Sequence, residues 1–301
     1  MAYQLEQLKK KVRLVCATGA LLACLQGAWA IQPVSANFTQ VFDAQSQALT
    51  IWKMADNPDV FIFDFPGLVY QGRSFNRITQ FTEQQFTEPY PKVLNNQELA
   101  SYIQASRRTQ SDFAFGHDVL VSELVQFFNY ALRDKIELYP EELVIRDFLL
   151  EQELVRFWRG FYQAMRPDAV VLAVPQTQHR KTDEPMITAG ARYTILLHEL
   201  AHAEYYTNSH YRKFCQRFWY QTLKQEQRNA FKNFLASSNY SVENEELLIN
   251  EMQAYLIFTP DRRSFSAHRL GISDLELQSM RDAFRHGAPP IALPMSVPGG
   301  L

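Results

Sequence analysis

The sequence predicts an α+β fold that is mainly helical, on three observations. Apolar residues recur at three- and four-residue steps over long stretches between Gln97 and Phe258. Strand-like runs are few and short, and Pro and Gly gather outside the periodic stretches, most densely in the tail GAPPIALPMSVPGGL from Gly287. With 47% hydrophobic and 21% charged residues, the chain has enough apolar material for a sizeable core. A net charge of −2 advertises no basic surface for nucleic acid or anionic lipid.

At the N-terminus, Lys9, Lys10, Lys11 and Arg13 precede an uncharged, largely apolar run from Leu14 to Ala30. It closes on Ala28-Trp29-Ala30, a small-x-small triplet that suits a signal peptidase, so residues 1–30 are expected to be a secretory signal peptide. The run is too short and too broken by Gly, Thr and Gln to make a good membrane span. Leu21-Leu22-Ala23-Cys24 resembles a lipobox, which makes a lipid anchor at Cys24 the alternative, and a buried N-terminal helix is a third reading. The first two place the protein outside the cytoplasm, periplasmic or secreted. Cleavage after Ala30 would leave Cys215 alone, without a disulfide framework, and its aromatic surroundings suggest a packed thiol.

The mature chain is expected to hold one domain over 31–286, with 31–95 a candidate for a smaller N-terminal lobe, and a loose tail over 287–301. DNPDVFIFDFPGLVYQG (56–72) reads as a strand and a turn. Residues 119–135 and 140–165 read as amphipathic helices, the second opened by Pro140 and two glutamates. Asp168 to Val174, between Pro167 and Pro175, is a short continuous apolar run and reads as a strand. A long helix is expected over about 210–235, and another from an N-cap at Ser241 through Phe258.

Tyr193 to Tyr206 reads YTILLHELAHAEYY, with His198, Glu199 and His202 in the order H-E-x-x-H. Helical residues four apart stack on one face, so both imidazoles can reach one ion at the distances zinc takes. Glu199 is rotated away from them and can reach a water from the side, where a general base acts. Leu196, Leu197, Leu200 and Ala201 fill most of the remaining circumference, which predicts a buried helix. Burying two histidines and a carboxylate without partners is costly, and a metal with its water supplies partners. The rival reading is a core helix whose histidines bond to backbone carbonyls.

Catalytic zinc takes three protein ligands and keeps one position open. The metzincin spacing would require glycine and histidine where the chain has Tyr205 and Asn208, which rejects that class. In ELLINEMQAYLIF, Glu251 sits in the middle of an apolar stripe with Leu247, Leu248, Ala254, Tyr255 and Phe258. Glu243, Glu245 and Glu246 lie near a helix start, where the dipole and solvent accommodate acids. Glu251 has no such explanation, and no lysine or arginine lies within a helical turn of it. A carboxylate so placed is protonated, paired or metal-bound; metal is the expectation and a tertiary ion pair its rival.

These residues resemble the gluzincins, zincin metallopeptidases with H-E-x-x-H on one helix and a glutamate ligand on a later one, often within Asn-Glu, here Asn250-Glu251. The resemblance covers about residues 168–259 and implies a zincin-like catalytic core. It implies one Zn2+ per chain held by His198, His202 and Glu251, with Glu199 activating the water. It also implies that the strand before the active-site helix is an edge strand that aligns substrate by β-augmentation. The chain departs from the pattern in two places. The separation between His202 and Glu251 is long, and Tyr255 stands where thermolysin-like members have an Asp that orients a zinc histidine. Tyr255 is the leading oxyanion donor, with His210 and His268 as others; Arg192 and Asn250 flank the motifs as candidate supports.

The function expected from these residues is that of an exported zinc-dependent peptidase acting on a peptide or protein substrate. A zinc amidase acting on cell-wall peptides and a non-catalytic zincin-like binding protein are the alternatives. The intact Glu199 speaks against the last, because a chain that only binds metal has no need of the base.

Overall fold

Two apolar runs, VFIFDF and VVLAVP, lie side by side at the centre of the fold, as strands β3 (Val60–Phe65) and β7 (Val170–Pro175). The computed structural model describes residues 32–84, 91–178, 184–238 and 240–295. The expected signal peptide, Cys24 with it, and the end of the tail lie outside the described residues. The described residues from Pro33 onward form one compact unit.

In chain order the remaining elements are β1 (Val34–Ala36), α1 (Phe38–Asp43), β2 (Thr50–Met54), α2 (Leu68–Gln84), α3 (Asn96–Ala105), β4 (His117–Leu120), α4 (Val121–Arg133), α5 (Pro140–Glu151), β5 (Val155–Trp158) and β6 (Phe161–Ala164). After β7 come α6 (Ala189–Thr207), α7 (Ser209–Arg217), a π-helical turn (Phe218–Thr222), α8 (Gln225–Ser237), α9 (Glu245–Phe258), α10 (Ala267–Leu270) and α11 (Asp274–Gly287). The fold is mainly helical around a mixed sheet of order β1-β2-β3-β7-β4, as the periodicity predicts.

β3 and β7 are buried on both faces, which is why they read as continuous apolar runs rather than alternating ones. Ile62, Leu172 and Val174 face one core with Leu196, Leu197 and Leu200 of α6. Phe61, Phe63, Val171 and Ala173 face the other, filled by Phe75 of α2, Phe127 of α4 and Phe148 of α5. The strand before the H-E-x-x-H helix is therefore present but is not an edge. β7 is paired in parallel with β3 and antiparallel with β4, and β4 occupies the edge.

Three helix boundaries also differ from expectation. The helix expected over 140–165 stops at Glu151, because Glu153 takes φ 54° and the Leu154 amide closes back on the Leu149 carbonyl at 3.0 Å. The chain then forms a hairpin turned by Arg159 and Gly160, at φ 52° and 88°. The helix expected over 210–235 is broken after the π turn, where Arg228 takes the carbonyls of Trp219 and Leu223 at 3.0 and 2.6 Å. α9 is capped by Asn244, whose side chain accepts from the Leu247 amide, and not by Ser241.

One buried ion pair fixes α6 to the sheet. Arg192 grips Asp64 of β3 through Nη1 and Nη2 at 2.7 and 2.9 Å. The same guanidinium donates to the carbonyls of Pro175, Val41 and Phe42 at 2.8, 2.6 and 3.2 Å. Trp52 Nε1 donates to the Asp64 carboxylate at 3.1 Å. Arg192, which flanks the motif in sequence, is thus a buried anchor of α6.

Candidate metal centre

α6 starts at Thr188, whose hydroxyl accepts from the Ala191 amide, and runs between the sheet and α9, buried nearly all round. His198 and His202 leave it on the face turned to α9, their rings edge to face with centroids 4.7 Å apart. Their Nε2 atoms lie 3.1 Å from each other, and the Glu251 carboxylate lies 3.6 Å from the first and 3.7 Å from the second. The three residues thus bring their ligand atoms together.

The opposite ring nitrogens decide the tautomers. His198 Nδ1 meets the Thr259 hydroxyl at 2.8 Å, and that hydroxyl spends its proton on the Ala254 carbonyl at 3.0 Å. Thr259 can therefore only accept from His198, which puts the imidazole proton on Nδ1. His202 Nδ1 meets Asn250 Oδ1 at 3.0 Å, an acceptor that also receives from Gln253, so its proton is on Nδ1 as well. Both Nε2 atoms then face each other as bare lone pairs. Burial pushes the His198 imidazole down to about 4, so at neutral pH this ring carries no second proton. Glu251 Oε2, buried beside them, has no hydrogen-bond partner.

Three acceptors turned toward one point fit a cation. Two nitrogens bound tetrahedrally to zinc at about 2.0–2.1 Å stand roughly 3.3 Å apart, close to what the protein already holds. This is a zincin-like H-E-x-x-H-plus-glutamate metal-binding triad set in an α+β fold. No ion pair joins Glu251 to an arginine or lysine among the described residues; the bases beside it are His198 and His202 themselves. Compared with known proteins, the chain matches no protein-family model, no curated protein and no solved structure.

Glu199 lies at the side of the triad, buried, with its carboxylate near Asp118 and His202. Burial first, then the charges of Asp118 and Glu251, hold its carboxyl well above the ordinary range. Burial raises Glu251 to about 7 against the pull of His202. Asp118, on the edge strand β4, escaped the sequence reading. So did Gly116 just before that strand: a Cβ there would stand 2.2 Å from Glu199 Oε1, so only glycine leaves the carboxylate its place. Gly116 and Asp118 lie far from both motifs in sequence, and only the pairing of β4 with β7 carries them to α6.

Tyr255 packs its ring on His198, with centroids 4.8 Å apart, and on Phe234 at 4.9 Å. Its hydroxyl and the Glu251 carboxylate both lie within hydrogen-bonding reach of Tyr240. Tyr240 and Thr259 were likewise not singled out from the sequence. His210 and His268 are exposed and lie outside the ligand group. Glu245 and Glu246 take hydrogen bonds from Tyr220 and Tyr205, at 2.9 and 2.8 Å, elsewhere on α9. Cys215 is a buried free thiol, raised by burial, as the aromatic context suggests. No helix among the described residues is long and apolar enough to cross a membrane.

Proposed function

We propose that this chain is an exported zinc-dependent peptidase, released from its signal peptide after Ala30, with residues 31–286 as the catalytic domain and 287–301 as a tail. The observation that carries this reading is the pair of bare Nε2 lone pairs, 3.1 Å apart and facing a buried carboxylate with no donor between them. His198, His202 and Glu251 would hold the ion, and two imidazoles with one carboxylate suit zinc among the divalent metals. When bound, zinc polarises a carbonyl and brings the pKa of water down to about 7.

The chain's own residues do the rest. Thr259 and Asn250 hold the tautomers that present both imidazole lone pairs. Glu199, whose carboxyl is held high by burial, takes a proton from water at its carboxylate oxygen and returns it to the leaving amine nitrogen. Tyr255, whose ring lies against His198, would supply its hydroxyl proton to a developing oxyanion. β4 has no partner on its outer side among the described residues, so an extended peptide can pair there beside Glu199. That role passes to β4 from the strand first expected to hold it.

Elemental mass spectrometry of residues 31–301, beside peptide hydrolysis, tests the reading. We expect about one zinc per chain in the wild type and in Glu199→Gln, and little in Glu251→Ala. Glu199→Gln should lose roughly a hundred- to ten-thousandfold in rate. A fully active Glu199→Gln would overturn the role of the base, and zinc retained by Glu251→Ala would move the third ligand.

A further inference from the structure

The β5–β6 hairpin carries the residues Val155 to Met165, VRFWRGFYQAM, which contain no acid. Six successive residues, Arg156 to Phe161, are exposed. Phe157, Trp158 and Phe161 show 50%, 54% and 44% of their surface, and Met165, just past β6, shows 49%. Trp158 lies directly across from Phe161, so the two rings share one face of the ribbon. The base is fixed: Asn129 of α4 donates to the Tyr162 carbonyl at 2.9 Å and accepts from its amide at 2.7 Å. Val155 is buried and Tyr162 packs on Phe128. The tip is thus an exposed ribbon on a firmly mounted base.

Its charges are unbalanced. Among the described residues Arg156 bonds to Gln163, at 2.8 Å, and Arg159 lies over the Trp158 ring at 5.8 Å. Neither has a carboxylate partner among the described residues.

We propose that this hairpin docks the protein on an anionic phospholipid bilayer, with Trp158 and Phe161 at headgroup depth and Arg156 and Arg159 on lipid phosphates. Tryptophan suits that depth because one end of its ring system is apolar and the other hydrogen-bonds. Guanidinium groups match phosphate oxygens, and a surface of opposite charge completes a tip that has none of its own. The two strands pair with each other, and at headgroup depth their outer-edge backbone groups stay within reach of water. A net charge of −2 over the whole chain conceals this local excess, which is why overall composition did not reveal it. The proposal does not depend on the metal centre.

The test is sedimentation with vesicles of phosphatidylcholine alone or mixed with phosphatidylglycerol, using residues 31–301, which retain the whole compact unit from Pro33. We expect binding to the mixed vesicles, weakened by salt, with a blue shift in tryptophan emission that W158F abolishes. The R156Q/R159Q variant should bind roughly fivefold more weakly per arginine removed. The W158A/F161A variant should lose roughly tenfold or more, with unchanged circular dichroism and unchanged hydrolysis of a soluble peptide. Failure to bind mixed vesicles would overturn the proposal, as would binding that survives both variants. So would a dimer in analytical ultracentrifugation that W158A/F161A dissolves, since the tip would then be a contact between copies.

Discussion

The Arg192–Asp64 pair and the His198–His202–Glu251 cluster both bury polar groups along α6, and they balance them in opposite ways. At the pair, Arg192 donates to a carboxylate and three carbonyls, and Asp64 also receives from Trp52. Donors and acceptors match, so the arrangement is complete as built. At the cluster, the groups aimed inward are two bare nitrogens and a Glu251 carboxyl oxygen without a partner. Folding orders these groups without satisfying them. Buried polarity that closes on itself marks an anchor, and buried polarity that stays open marks a place for something to bind.

The comparison can be broken or sharpened by experiment. Arg192→Met leaves Asp64 buried and uncompensated, and should cost about 3–5 kcal/mol in urea unfolding, with no recovery when zinc is added. A loss below about 1 kcal/mol would mean that the pair does not anchor the helix. Glu251→Gln should do the reverse. In metal-free protein it should leave stability unchanged or raise it by about 1–3 kcal/mol, because an unsatisfied carboxylate is replaced by a group that can donate to an imidazole. The rise in melting temperature caused by zinc should disappear in the same variant. A metal-free loss as large as that of Arg192→Met would erase the distinction between the two regions.

Smaller effects refine it. Thr259→Val removes the acceptor that holds the His198 proton on Nδ1, and should weaken zinc roughly 10–100-fold in a competition titration with little change in metal-free stability. His117 of β4 is a third kind of buried polar group, bonded to Thr79 at 2.7 Å and stacked on Phe75, and burial lowers its pKa to about 3. Between pH 3 and 6.5 the unfolded chain therefore binds the proton that the folded chain refuses, so stability falls as pH drops through that window. The slope is at most about 1.4 kcal/mol per pH unit from this group, and His117→Asn should remove that part of it in unfolding measured from pH 6.5 to 4.

What could be read before folding was whatever is local. His198 and His202 are one helical turn apart, so their shared face follows from the helix itself. Glu251 was legible because an acid stood in an apolar stripe with no base nearby, a conflict visible in ELLINEMQAYLIF alone. Asp118, Gly116 and Tyr240 gave no such conflict, because their meaning depends on which strand lands beside α6 and on how α9 faces the loop before it. The position of β7 was misjudged for a related reason: VVLAV shows that both faces are buried, and says nothing of its two edges. The hairpin was hidden by spacing, since Val155, Trp158, Phe161, Tyr162 and Met165 also fit a helical stripe. The overriding signal was the Arg159-Gly160 turn.

Arg192 reaches back to Phe42 and Asp64, across 150 and 128 residues, and the metal centre gathers groups from Asp118 to Thr259. Contacts this distant form late, because a long loop must close before any of them contributes. A chain with only its local helices and hairpins formed does not hold the assembled cluster. Hydrolytic capacity is thus tied to completed folding, so the topology itself delays a cleaving activity until the molecule has hidden its own peptide bonds.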